Sequence, residues 1–209
     1  MNFYIEDDII KKINHQVKRP TKGEVIYHEN DKCETVTLVI KGEVEATQGF
    51  SDGHNKIIRT IKKGDVIGLS LIFSSNPSYK ASFTITTKTS KLIVIKKEDL
   101  MNLMLSNQMI NERILKYISD YSIFQSEHIK LLSCKFIRKK ICSYLYNEYR
   151  TRNKLEFEID YSKTDLSAFL NAERPSLSTE ISRLCKEGII ENSNRKYKIL
   201  DLDKLELEM

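Results

Sequence analysis

Residues 163–190 run Lys163-Thr164-Asp165-Leu166-Ser167-Ala168-Phe169-Leu170-Asn171-Ala172-Glu173-Arg174-Pro175-Ser176-Leu177-Ser178-Thr179-Glu180-Ile181-Ser182-Arg183-Leu184-Cys185-Lys186-Glu187-Gly188-Ile189-Ile190, and the punctuation reads as two short helices around a turn. Ser162 and Asp165 have the S-x-x-D spacing of a capping box, which opens a helix through Leu170. Asn171-Ala172 is the turn. Pro175, whose ring presets φ, suits the first turn of a second helix. Leu177, Ile181 and Leu184 form its buried stripe, and Gly188 is placed to end it in the left-handed conformation. Ile189-Ile190, the polar Asn192-Ser193-Asn194 and Tyr197 to Leu200 then read as a hairpin, and Leu155, Phe157 and Ile159 alternate upstream as a strand. Helix, turn, helix and hairpin make a winged helix-turn-helix.

Working towards the N-terminus, Ile137, Ile141, Leu145 and Tyr149 predict a helix over Ser133 to Arg150, with Lys135, Arg138, Lys139 and Lys140 near its start. Before it, Ile110, Ile114, Tyr117, Tyr121, Phe124, His128 and Leu131 alternate steps of four and three, a heptad seam on a helix from Asn107 to Leu131. Leu115, Ile118 and Ile129 widen its apolar face, so one stripe is free for a twin helix while the other packs on the preceding domain. A helix packed wholly inside its own domain is the alternative reading. The expected dimer interface is Ile110, Ile114, Tyr117, Tyr121 and Phe124, because a monomer would expose that stripe. His128 on this seam reads as a packing residue. A short helix, Glu98 to Leu105, precedes it.

Six of the seven glycines (Gly23, Gly42, Gly49, Gly53, Gly64, Gly68) lie in the first third of the chain, and only Gly188 follows. Between and after them run short stretches rich in β-branched and aromatic residues: Glu24 to Tyr27, Thr35 to Ile40, Val44 to Thr47, Lys56 to Ile61, Ala81 to Thr86 and Lys91 to Ile95. Such strands between turn residues predict an antiparallel sandwich or roll.

Composition removes several classes of function. No apolar run approaches the ~18 residues of a membrane span, and Met1 to Lys12 carries Glu6, Asp7 and Asp8 where a signal peptide places cations. The expected location is cytoplasmic. Cys33, Cys134, Cys142 and Cys185 form no C-x-x-C pair, and His15, His28, His54 and His128 no H-x-H, so neither a zinc site nor a disulfide framework is expected. Cys134 and Cys142, both placed on the helix from Ser133, are separated by a rise of ~12 Å, too far to bridge. No carboxylate pair or nucleophile with its base is visible, so no enzymatic activity is expected. Of the net charge of +5, the largest excess of cations falls in residues 131–200, whereas residues 201–209 turn acidic.

A helix-turn-helix places its second helix against base edges in the major groove and its first across the phosphates. The second helix's first turns offer Arg174, Ser176, Ser178 and Thr179 as base readers: the arginine fits guanine O6 and N7 bidentately, and the hydroxyls serve as donors or acceptors. Ser162, Lys163 and Thr164 at the first helix, Lys139 upstream, and Arg195 and Lys196 on the wing are expected to meet phosphates.

The stretch from Lys163 to Ile190 resembles the DNA-reading signature of the Crp/Fnr (cyclic-AMP receptor and fumarate-nitrate regulator) family of bacterial transcription regulators. The N-terminal half is similar too, through Lys22-Gly23-Glu24, Ile40-Lys41-Gly42-Glu43-Val44 and Gly64-Asp65-Val66-Ile67-Gly68. The resemblance implies an α+β chain: an antiparallel β-roll of the cyclic-nucleotide-binding jelly-roll type over 1–106, a dimerisation helix over 107–131, and a winged helix-turn-helix over 132–209. It implies a homodimer on palindromic double-stranded promoter DNA under control of an effector, with RNA polymerase as a further candidate partner. A ligand-binding β-roll whose helical domain docks a protein partner is the alternative. The pocket residues it points to are Gly68, Leu69, Ser70, Lys80 and Ser82, with Gln125 and Ser126 of the long helix.

Two departures bear on the effector. Cyclic-nucleotide-binding members carry a ribose-holding carboxylate where this chain has Leu69-Ser70, and an arginine for the phosphate where it has Lys80-Ala81-Ser82. Leu69 cannot accept a hydrogen bond, and Lys80 offers a point charge in place of a fork. Cyclic AMP is therefore not the expected effector. The N-terminal cysteine cluster of iron-sulfur members is absent as well, since Met1 to Lys32 contains no cysteine. The cofactor is left open.

Overall fold

A computed structural model describes Phe3, Ile10, Lys11 and residues 13–49 and 55–209. Gly53, His54 and most of the acidic segment Met1 to Lys12 lie outside the described residues. Eight strands pair into two four-stranded antiparallel sheets: β1 (Gln16–Lys18), β2 (Val25–Tyr27), β3 (Thr35–Lys41), β4 (Val44–Gly49), β5 (Asn55–Ile61), β6 (Val66–Ile67), β7 (Ser82–Ile85) and β8 (Lys91–Lys96). One sheet has the order β1-β8-β3-β6 and the other β2-β7-β4-β5. In β4 and β7 the burial alternates, with Val44, Ala46, Phe83 and Ile85 turned inwards, as in a sheet wetted on one face. The central strands β3 and β8 instead carry four consecutive buried residues each, so both faces of that sheet are covered. Their second face is accounted for by Leu100 and Leu103 of α1 (Lys97–Ser106) and by Ile110, Ile114 and Tyr117 of α2 (Gln108–Ser133), which join the same apolar cluster.

That packing corrects the expected dimer interface. Ile110 and Ile114 are fully buried and Tyr117 nearly so in the roll's own core, because it needs those side chains to cover its sheet. Tyr121 is half-buried and stacked near Tyr117. Of the expected set Phe124 alone stays exposed among the described residues; the other apolar residues that α2 leaves exposed are Met109, Leu115, Ile123, Ile129 and Leu132.

The second compact unit runs from Phe124 to Met209, the first from Met1 to Ile123. Helices α3 (Ile137–Arg152), α4 (Lys163–Phe169), α5 (Arg174–Lys186) and α6 (Leu202–Leu207) accompany a three-stranded sheet of order β10-β11-β9, from β9 (Glu156–Glu158), β10 (Ile190–Ser193) and β11 (Lys196–Ile199). Its core joins Ile141 and Leu145 of α3, Leu166, Leu177, Ile181 and Leu184 of the helix pair, Tyr197 of the hairpin and Leu205 of α6. α3 begins at Ile137 and not at Ser133, with Phe136 in an extended conformation ahead of it. Cys134 therefore lies off the helix, and the helical-rise argument for its separation from Cys142 does not hold; both thiols are free. Among the described residues no helix is long and apolar enough to cross a membrane, and no group of His, Cys, Asp or Glu is arranged to hold a metal ion.

Candidate nucleic-acid interface

The helix pair is built by its local signals. Ser162 Oγ accepts the Asp165 N–H at 3.1 Å while Asp165 accepts the Ser162 N–H at 3.2 Å, completing the capping box that starts α4. Asn171 turns the chain at φ +47. Pro175 occupies the first turn of α5, and Gly188 follows the C-cap Glu187 at φ +70, where a side chain would be strained.

α5 buries Leu177, Ile181 and Leu184 and leaves Arg174, Ser176 and Thr179 exposed, with Ser178 half-buried. Ser176 and Thr179 line an open cleft of about 350 Å³ with Pro175, Arg183 and Ile137 of α3. The first turn of α5 holds no acidic residue, and Glu173 makes no side-chain cap, so its backbone N–H groups and partial positive charge face outwards. This face can donate to base edges and phosphates.

The proposed phosphate contacts differ among themselves. Lys163 is half-buried, and Thr164 and Lys196 are exposed. The Ser162 hydroxyl is already engaged: it donates to Asp165 Oδ2 at 2.6 Å besides capping the helix. Arg195 pairs with Glu158 at 3.1 Å, and Lys139 donates to the Met209 carbonyl at 3.1 Å. The Ser162 cap is local and legible in the sequence, whereas the partners of Arg195 and Lys139 come from across the fold, where sequence spacing carries no signal.

The end of α4 has two external donors that the sequence reading missed. His128 Nε2–H donates to the Phe169 carbonyl at 2.8 Å, and its ring stacks on that of Phe169 with centroids 4.1 Å apart. Lys140, only 8% exposed, donates to the Leu170 carbonyl at 3.0 Å. A helix's last carbonyls lack intrahelical partners, so α2 and α3 together close α4. Tyr144 and Tyr161 complete the aromatic packing on Phe169, and burial raises the Tyr144 phenol far above its ordinary value.

In the roll, the residues named for an effector pocket separate by environment. Gly68 stands at φ +87, and a Cβ there would lie 2.7 Å from the Thr35 carbonyl, so the turn admits only glycine. Leu69 is 1% exposed and belongs to the same apolar core as Tyr79 and Ile72. Ser70 and Lys80 are exposed, and the Lys80 ammonium donates to Ser78 Oγ at 2.7 Å. Ser82 Oγ accepts the Glu29 N–H at 3.0 Å. Tyr27 stacks on Tyr79 at 4.3 Å, and the hydroxyls of Tyr27 and Thr37 share a hydrogen bond of 2.6 Å. Gln125 and Ser126 belong to the second unit, exposed on α2.

Comparison with known proteins agrees with both halves. Residues 17–107 match the cyclic nucleotide-binding domain family and residues 139–208 the Crp-like helix-turn-helix domain family. Over 207 residues the chain is 25% identical to the electron transport regulator A of Shewanella oneidensis, covering 96% of this chain and 80% of that protein. It is 22% identical over 201 residues to the fumarate and nitrate reduction regulatory protein of Vibrio cholerae, covering 94% and 79%. A solved CooA variant from Carboxydothermus hydrogenoformans shares the fold with a TM-score of 0.75 at 17% identity, covering 99% of this chain and 95% of that one. With a cyclic-nucleotide-binding-type roll and a Crp-like helix-turn-helix in one chain, the protein belongs to the Crp/Fnr family of transcription regulators.

Proposed function

We propose that the chain acts as a homodimer on palindromic promoter DNA, with α5 in the major groove and no enzymatic activity of its own. The observation that carries this reading is the division of α5 into a fully buried apolar stripe and an exposed first turn bearing Arg174, Ser176 and Thr179. Ser178 borders that turn. Lys163, Thr164 and Lys196 supply phosphate contacts, and the α4 amides assist them. Ser162, Arg195 and Lys139 join only by exchanging a present partner for a phosphate.

The dimer forms through the outer stripe of α2. Leu115, Ile118, Ser122, Gln125, Ile129 and Leu132 again alternate steps of three and four, and most of this row is exposed. RNA polymerase is a further partner in this reading. The effector is not cyclic AMP: the position of the ribose carboxylate is a buried leucine, and Lys80 lacks the bidentate fork that a phosphate in a partly buried site favours. The test is a salt titration of binding to the gene's own upstream DNA. A DNA-reading dimer loses affinity steeply as salt rises through counterion release; absence of salt-sensitive binding contradicts the proposal and favours protein docking by the helical unit.

A further inference from the structure

Arg138 lies second in α3, in a run of cations with Lys135, Lys139 and Lys140, yet its guanidinium is engaged by carboxylates of its own unit. Nη1–H groups donate to Glu180 Oε1 at 2.9 Å and Glu187 Oε1 at 3.2 Å. Nη2–H groups donate to Glu187 Oε2 and to Glu208 Oε1, the latter at 3.2 Å, and Nε–H donates to Glu208 Oε2 at 2.7 Å. A guanidinium has five N–H donors, and these five contacts engage them all. The three carboxylates come from different places: Glu180 from the middle of α5, where it is 7% exposed, Glu187 from its C-cap, and Glu208 from the segment after α6. Hydrogen bonding to Arg138 holds the Glu187 carboxyl below the usual carboxylate range.

We infer that Arg138 is a positioning residue for base reading: it sets the rotation and height at which α5 presents Arg174 and Thr179 without itself touching DNA. This rests on the reading of α5 as the base-reading helix. Among the described residues, α5 is otherwise held to its unit's core through apolar side chains such as Leu177, Ile181 and Leu184, contacts that are non-directional and fix that the helix docks more than where along the groove between its neighbours. A planar fork held by two points on one helix is directional. Recognition by paired hydrogen bonds tolerates displacements of only ~0.5 Å, so the fork acts on the scale that matters. Without Arg138, the buried Glu180 carboxylate keeps, among the described residues, only Arg183, at 3.2 Å, and must move towards water, taking the helix with it.

The test uses the full chain, a duplex selected from a random library and a scrambled duplex of equal length, at a temperature where every variant is folded. Arg138→Gln and Arg138→Lys should each lower the ratio of selected to scrambled affinity by about tenfold or more, and leave the scrambled affinity and its salt slope as in the wild type. A ratio unchanged in Arg138→Gln, or restored by Arg138→Lys, overturns the inference. So does an equal loss on both duplexes with a salt slope lower by about one, which would make Arg138 a phosphate contact. Should Arg138→Gln fail to fold, Glu187→Gln and Glu208→Gln carry the test: a lower ratio supports the fork, and an unchanged ratio in both overturns it. A wild type that does not distinguish the duplexes contradicts the base-reading account itself, and the inference with it.

Discussion

Arg174 and Lys163 stand at the starts of adjacent helices and differ in what they can distinguish. An exposed guanidinium at the tip of α5 can tell one base edge from another, whereas an ammonium beside the α4 amides meets a phosphate that every sequence provides. Arg174→Ala should therefore cost ~1 to 3 kcal/mol and relax discrimination at one base pair per half-site, while Lys163→Ala weakens all duplexes alike and lowers the salt slope by about one. Competition binding against single-base operator variants separates the two; equal loss on all sequences for Arg174→Ala would reduce it to a phosphate contact. The cysteines divide in the same residue-by-residue way. Burial pushes the Cys142 thiol up to about 12, although the Arg138 charge pulls the other way, and raises that of Cys33 against the opposing pull of hydrogen bonds with Tyr79 and the Thr35 backbone. Both are sealed in cores, while Cys134 and Cys185 are half-buried. Thiol alkylation of the folded protein should mark Cys134 and Cys185 first, with Cys33 and Cys142 reacting only on unfolding; early labelling of Cys142 by mass spectrometry would mean that α3 does not pack as described.

The closure of α4 by His128 and Lys140 is a property of three elements acting together. His128→Ala removes a hydrogen bond to the Phe169 carbonyl and a ring stack, which should cost about 1 to 3 kcal/mol in urea unfolding; His128→Phe keeps the stack and should lose about half of that. No change in either would show that the end of α4 is closed by water instead. None of this was visible in the sequence, because His128 and Phe169 are 41 residues apart and periodicity reports only on neighbours. The helix-turn-helix itself was legible, since Ser162, Asp165, Pro175 and Gly188 are local signals that act within one turn. The roll was legible in outline from its turn glycines, but β1 and β6, three and two residues long, exist only through pairing with β8 and β3. The short α6 was missed likewise, being held by the buried Leu205. On α2 a second row, apolar at Leu115, Ile118, Ile129 and Leu132 but polar at Ser122 and Gln125, has the same heptad spacing, and spacing cannot say which row the roll will cover. The structure gives Ile110, Ile114 and Tyr117 to the roll and leaves Leu115 and Ile129 outside. The Arg138 fork was hidden for a related reason: its three carboxylates come from 42 to 70 residues away, and a basic run read locally resembles a phosphate-facing edge.

At the scale of the molecule, the proposed dimer rests on the exposed stripe of α2. Leu115 and Ile129 are 56% and 66% exposed, and a row of such residues in water is stabilised by burial against its twin. Sedimentation should show twice the 24.4 kDa chain mass. Replacing Leu115 and Ile129 together by Glu should give a folded monomer, whereas Ile114→Glu, which puts a charge into the roll's core, should unfold the first unit. An unchanged dimer in the double variant would move the interface elsewhere. In the proposed dimer, two α5 helices related by a two-fold axis would face two half-sites whose spacing the protein fixes. The measurement that tests the whole account most directly is selection of duplexes by the purified full chain from a random library at physiological salt. The account predicts enrichment of an inverted repeat whose half-sites lie about one helical turn, ~34 to 36 Å, or a multiple of it apart. A library that stays random, or one that yields a single unrepeated motif, contradicts it.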